Sequence, residues 1–244
     1  LLAAILLGVG LPELWAAGAA VLCGITGVMP FYAKTFFSEP LAGLLLLGAA
    51  YAMLQATNRP RRWLALAGFC LGASALTRVA HLALALPAFV ALMVWARDRK
   101  QPVLQTLWPA AVGFVIPILA LLAYNAARFG TPFETGYGAE AGAFDADPID
   151  GLIGLLVGPG RGLIWYFPWA VFALFGMRSL WRMDRAQAIF AGGSMLTLLA
   201  LYCSWHMWEG GWCFGPRFLV PAMPLLAIPA TTFVYKSRFQ QQLR

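Results

Sequence analysis

Residues 103–124 read VLQTLWPAAVGFVIPILALLAY, and these 22 residues carry no charge. The apolar positions follow one another without the strict alternation of a half-buried strand. A stretch of about 20 such residues is long enough to cross the hydrocarbon layer of a bilayer as a helix. Backbone N–H and C=O groups inside hydrocarbon must satisfy each other, which leaves only helices and closed barrels. A near-continuous run, unlike the alternating pattern of a barrel strand, selects the helix. Pro109 and Pro117 fall inside the run. Membrane bundles tolerate such prolines where neighbours satisfy the freed carbonyls.

Similar apolar runs lie on either side, at about 14–30, 39–56, 63–77, 82–96, 163–178, 187–204 and 217–235. Those at 63–77 and 82–96 are short for a span. Pro30, Pro87, Pro168, Pro221 and Pro224 are expected to kink or begin helices. The whole chain is 61% apolar and 11% charged, with a mean hydropathy of +0.74. A soluble domain of 244 residues cannot hide that much apolar surface. The expectation is an all-α polytopic transmembrane bundle, one domain over residues 1–244, with about eight spans plus a partial first one. The opening LLAAILLGVG has no basic flank, so it reads as the tail of a helix that starts further upstream, and the chain as a fragment.

Charge sets the orientation. If connections alternate sides, one side collects 57–62, 96–100, 177–185 and 236–244, with 12 of the 17 Lys and Arg. The other side receives the remaining 5 basic residues and 7 of the 10 acids. Short basic loops stay cytoplasmic, so the acidic, aromatic side is expected outside. The net charge of +7 is then a topology signal with attraction to anionic lipid heads, not a nucleic-acid footprint. The segment 125–162 is the one long connection, predicted as an extracytoplasmic loop. Within it GLIGLLVG (151–158) is too short to span and is expected on the membrane surface.

Four polar clusters fall on that outer side. KTFFSEP (34–40) brackets a helix start with Lys34 and Glu39, where Ser38 or Glu39 could cap. Arg78 and His81 stand between two short runs, as an interfacial anchor and a packing residue or as part of a site. RFGTPFETGYG (128–138), which contains Tyr137, and GPGRGLIWYFP (158–168) are rich in turn residues. In the second, Arg161 and free backbone amides could surround a phosphate. SWHMWEGGWCFGPRFLVPAMP (204–224) gathers Trp205, His206, Trp208, Glu209, Trp212 and Arg217. Interfacial belts account for tryptophans, but their faces also stack on sugar rings, and Gly210 and Gly211 leave room for a ring. Asp145, Asp147 and Asp150 lack the glycine and distal glutamate of an EF-hand and read as a solvated acidic loop. Cys23, Cys70, Cys203 and Cys213 show no metal-ligand spacing. They read as buried apolar residues, although Cys203 and Cys213 could pair on an oxidising face.

FFSEPLAGLLLL, ALTR, RFGTPFETGYG, GPGRGLIWYFP and WEGGWCFGPRFLVPAMPLLA together resemble bacterial membrane glycosyltransferases of the GT-C superfamily. The similarity is to the family 39-like proteins related to protein mannosyltransferases and aminoarabinose transferases, and it runs from about residue 30 to 235. It implies an inverting transfer of a hexosyl or pentosyl group from a polyprenyl-phosphate donor to a hydroxyl on a lipid, glycan or protein. The reaction would take place on the outer face of the bacterial inner membrane. The family's catalytic aspartate lies in a loop that would precede Leu1, so this stretch alone is expected to be inactive. Glu39 stands at a second acidic position, as a helper that could orient the acceptor or help bind a divalent metal. Donor contacts would fall to Arg217, with Arg161, Arg78, Lys34, Tyr137, Trp208, Trp212, Glu209 and His206 around it. A transporter or flippase for a lipid-linked sugar would use the same lining without a base. It would favour inverted repeats, and no internal repeat is visible.

Overall fold

The computed structural model describes residues 1–57 and 59–242, and every regular element among them is helical. In chain order these are α1 (Leu2–Gly8), α2 (Glu13–Ile25), α3 (Met29–Tyr32), α4 (Glu39–Gln55), α5 (Pro60–Thr77) and α6 (Ala85–Asp98). There follow α7 (Val103–Phe129), α8 (Pro148–Val157), α9 (Leu163–Tyr166), α10 (Trp169–Met183), α11 (Arg185–Tyr202) and α12 (Met223–Gln242). Short 3₁₀ segments, Val79–Leu84 and Arg217–Ala222, lead directly into α6 and α12. Each apolar run overlaps one of these elements or a consecutive pair, while α7, α10 and α12 extend beyond the ends of their runs. Asn58 of the first basic loop, and Leu243 and Arg244 of the tail, lie outside the described residues.

Among the described residues, three helical stretches are long and apolar enough to cross a membrane: Val79–Asp98, Val103–Phe129 and Arg217–Ser237. The other apolar helices are shorter, among them Glu13–Ile25 and Glu39–Gln55. Among the described residues the fold is thus all-helical with three candidate membrane spans, as suits a membrane protein. The outer surface agrees with lipid contact. Leu14, Leu86, Leu104, Leu119, Leu174 and Leu196 are all more than half exposed, which is unusual for a protein surrounded by water.

Prolines behave as expected. Pro87 and Pro224 sit in first turns, Pro168 precedes α10, and α7 runs through both Pro109 and Pro117. Close packing comes from small residues, since lipid tails supply no hydrophobic drive between helices. Gly68 and Gly72 of α5 face the backbone of Ala110 and Phe114 in α7, and Gly113 of α7 faces Ala65. A Cβ at any of the three would collide with a backbone carbonyl. Gly176 gives α10 the same approach to Pro229 of α12.

The segment Arg217–Ser237 is the most enclosed of the three long stretches, and Val103–Phe129 the least. At one end of the bundle Arg99 pairs with Asp184 at 3.3 Å and Arg185 with Asp98 at 3.4 Å. Two basic loops therefore meet there. Asp184 also caps α11 by accepting from Gln187 N–H at 3.0 Å. The acidic and aromatic loops meet at the opposite end, where Tyr32 donates to the Phe214 carbonyl at 3.0 Å. His206 N–H bonds Ala143 C=O at 3.0 Å, and Ala146 N–H bonds Ser204 C=O at 3.2 Å. There α8 buries Gly151 and Leu155 and leaves Ile149, Leu152, Ile153 and Val157 exposed, an apolar stripe at helical spacing.

Candidate functional site

Glu39 is the first residue of α4, followed by Pro40, whose fixed φ suits a helix start. Ser38 makes no side-chain cap, and neither does Glu39, whose carboxylate turns inward. It is completely buried. Its Oε1 accepts from Arg217 Nε at 2.6 Å and also from Arg78 Nη1. Its Oε2 is buried and has no partner.

The chain delivers the two arginines by breaking helices at this depth. Arg78 ends α5 in an extended conformation before the 3₁₀ segment Val79–Leu84. Arg217 opens the other 3₁₀ segment after Gly215, whose φ of +67° suits glycine, and Pro216. Aromatic rings fix both guanidiniums. Arg217 lies over Phe37 at 4.2 Å, and Arg78 over Phe218 at 4.7 Å. Phe218 in turn stacks on Tyr202, with centroids 4.2 Å apart and planes 6° from parallel. One carboxylate shared by two guanidiniums leaves one unit of positive charge, in surroundings where charge is only weakly screened.

A cavity of about 470 Å3 opens above this pair, and Arg78, Arg217, Tyr137, Tyr202, Trp205 and Phe218 are among its walls. Trp205 is wedged between Phe144, at 5.1 Å, and Tyr137, at 6.4 Å, both edge-on. Cationic groups at one wall and ring faces at the others suit a ligand with an anionic part and an apolar or sugar-like part. Nearby, Ser74 Oγ and His81 Nδ1 are 2.8 Å apart and buried, so His81 is a packing residue tied to α5. Its Nε2 has no partner. Burial raises the Tyr32 phenol well above its ordinary range and keeps it a neutral donor to Phe214.

Several expected contacts lie elsewhere. Arg161 bonds the carbonyls of Cys213 and Gly211, the latter at 2.7 Å, and so clamps two loops instead of facing the cavity. Trp208 lies against Gly154 of α8, where its ring fills the space of a side chain. Trp212 is fully exposed, and Lys34 and Glu209 are exposed. Arg217 pairs with Glu39, not Glu209. His206 packs its ring against Trp205 at 4.9 Å. Gly210 and Gly211, with φ of +79° and +71°, shape a tight turn.

The four cysteines are free, so Cys203 and Cys213 do not pair. Asp147 caps α8, accepting from Ile149 N–H at 2.7 Å. Among the described residues no group of three His, Cys, Asp or Glu side chains converges to hold a metal. A divalent ion at Glu39 would face two guanidiniums, so the residues around it fit an anion better than a metal.

Phe37, Tyr202 and Phe218 carry no sequence signal of their own as site residues, although Phe37 and Phe218 flank Ser38 and Arg217. The chain matches no family model, no curated protein and no solved structure.

Proposed function

We propose that the chain is a membrane glycosyltransferase that moves a sugar from a polyprenyl-phosphate donor to a hydroxyl acceptor on a lipid, glycan or protein. The supporting observation is the Glu39–Arg78–Arg217 cluster beneath an aromatic cavity. As the C1–O bond to the lipid phosphate breaks, negative charge grows on the departing phosphate. Two guanidiniums held in place beforehand stabilise that charge without reorganising. Arginine suits this role because its fork can engage two phosphate oxygens at once. Glu39 is a positioning residue that holds both forks together. Tyr137 and Trp205 offer faces for the sugar ring. The acceptor proton needs a carboxylate base, and no described residue is assigned to that task.

The same reading places the cavity on the extracytoplasmic face of a bacterial inner membrane, with the shorter helices crossing alongside the three long ones. It rests on the likeness of the five quoted segments to GT-C enzymes and on the 12-to-5 division of basic residues. The test is to express the protein in membranes, supply a labelled polyprenyl-phosphate sugar and follow release of polyprenyl phosphate. Release that depends on Arg78 and Arg217 supports the enzyme. Movement of intact donor between leaflets without release would support the transporter instead.

A further inference from the structure

The end of the bundle opposite Glu39 holds a second cavity, of about 240 Å3, lined by Asp98, Arg99, Trp181, Arg182, Asp184 and Arg185 among others. Both carboxylates are already matched, Arg99 to Asp184 at 3.3 Å and Arg185 to Asp98 at 3.4 Å. Charge-assisted pairs usually close to about 2.7–2.9 Å. These two are loose and leave guanidinium N–H groups free for another acceptor. Arg182 pairs with no carboxylate among the described residues. Three arginines against two aspartates leave the lining one unit positive, and the N-terminus of the 18-residue α11 adds partial positive charge.

The outward face of α10 leads into this cavity. Val171, Leu174 and Phe175 are exposed, followed on the same face by Arg178, Trp181 and Arg182. Leu174 is 76% and Phe175 64% exposed, and the Phe175 ring lies against that of Phe233 of α12, with centroids 5.5 Å apart. An apolar strip giving way to Arg178, Trp181 and Arg182 suits the apolar and polar parts of a phospholipid. An acyl chain would meet the apolar groups, and the glycerol and phosphate would meet Trp181 and the arginines around it. A zwitterionic head would bring its own cation against three arginines, whereas a single net negative charge matches the lining.

We infer that this cavity binds the phosphate headgroup of an anionic membrane phospholipid, with an acyl chain lying along Leu174 and Phe175. The inference does not depend on the glycosyltransferase reading.

It is tested by titrating the detergent-solubilised protein with dioleoyl phosphatidylglycerol or dioleoyl phosphatidylcholine and reading one-to-one adducts by native mass spectrometry. Phosphatidylglycerol is expected to bind about tenfold more tightly, as one or two charge-assisted hydrogen bonds imply. Arg182→Gln alone should weaken that adduct severalfold, and Arg99→Gln with Arg182→Gln should remove the preference. Arg61→Gln, on another basic loop, should leave it unchanged. Arg182 is exposed, so its single variant keeps the test valid if the double variant fails to fold. Equal binding of the two lipids, or unchanged adducts in Arg182→Gln, would overturn the inference. Displacement by equimolar glycerol phosphate would mark a site for soluble phosphate and would also overturn it.

Discussion

At Glu39 the chain buries a carboxylate completely and closes Arg78 and Arg217 around one of its oxygens. Removing one member of a buried charge cluster leaves the others uncompensated, which typically costs about 3–5 kcal/mol. Glu39→Ala is therefore expected to lower stability by about that amount, read as a fall in thermal midpoint in detergent. Lys34→Ala, at an exposed position on the same loop, should stay within about 0.5 kcal/mol of wild type. A midpoint for Glu39→Ala equal to that of Lys34→Ala would mean that the cluster carries no such energy. Arg217 and Glu39 can each be singled out in the sequence, because a charge beside an apolar run needs a reason. Their union cannot. The partners lie 39 and 178 positions apart in the chain, and only tertiary packing joins them.

Helices α5 and α7 lie close because glycines on each face the other's backbone. Gly68→Leu should push them apart, at a cost of about 1–3 kcal/mol or more for an overfilled contact. Gly18, in α2, has open space where a Cβ would stand, with nothing within 4 Å. Gly18→Ala should accordingly be neutral or stabilising, by up to about 1 kcal/mol from helix propensity. Thermal unfolding of both variants in the same detergent checks the contrast, and equal shifts would contradict it. Arg161 works between elements, tying its own loop to the 211–213 turn. Arg161→Ala should speed hydrogen exchange across residues 209–215 and leave α7 unchanged.

The element positions are legible in the sequence because spanning or packed helices must be long apolar runs, and their ends show as prolines and charges. The role of Arg161 is not. Its Pro-Gly-Arg-Gly setting fits a phosphate nest as well as a loop clamp, and the decision lies with carbonyls of a turn 50 residues away. Helix length is also less legible than helix position. The apolar run at 14–30 continues past the end of α2 at Ile25, because Gly27, with φ of +64°, turns the chain against the Tyr166 carbonyl.

For the whole molecule, two of the four basic segments, 96–100 and 177–185, meet at one end, and the loops of Tyr32 and Phe214 meet at the other. In a cysteine-free background, an impermeant thiol reagent outside intact cells should label Glu140→Cys and not Arg182→Cys. The reverse pattern would invert the orientation and put the cavity in the cytoplasm. The central claim, that Arg217 and Arg78 receive a donor phosphate, is reached most directly by one assay. Membranes carrying wild type, Arg217→Lys or Arg217→Ala at matched amounts are given a labelled polyprenyl-phosphate sugar, and released polyprenyl phosphate is measured. Lysine keeps the charge but loses the fork, so turnover should fall, and alanine should lower it further, by about a hundredfold or more. Turnover in folded Arg217→Ala equal to that of wild type would contradict the assignment.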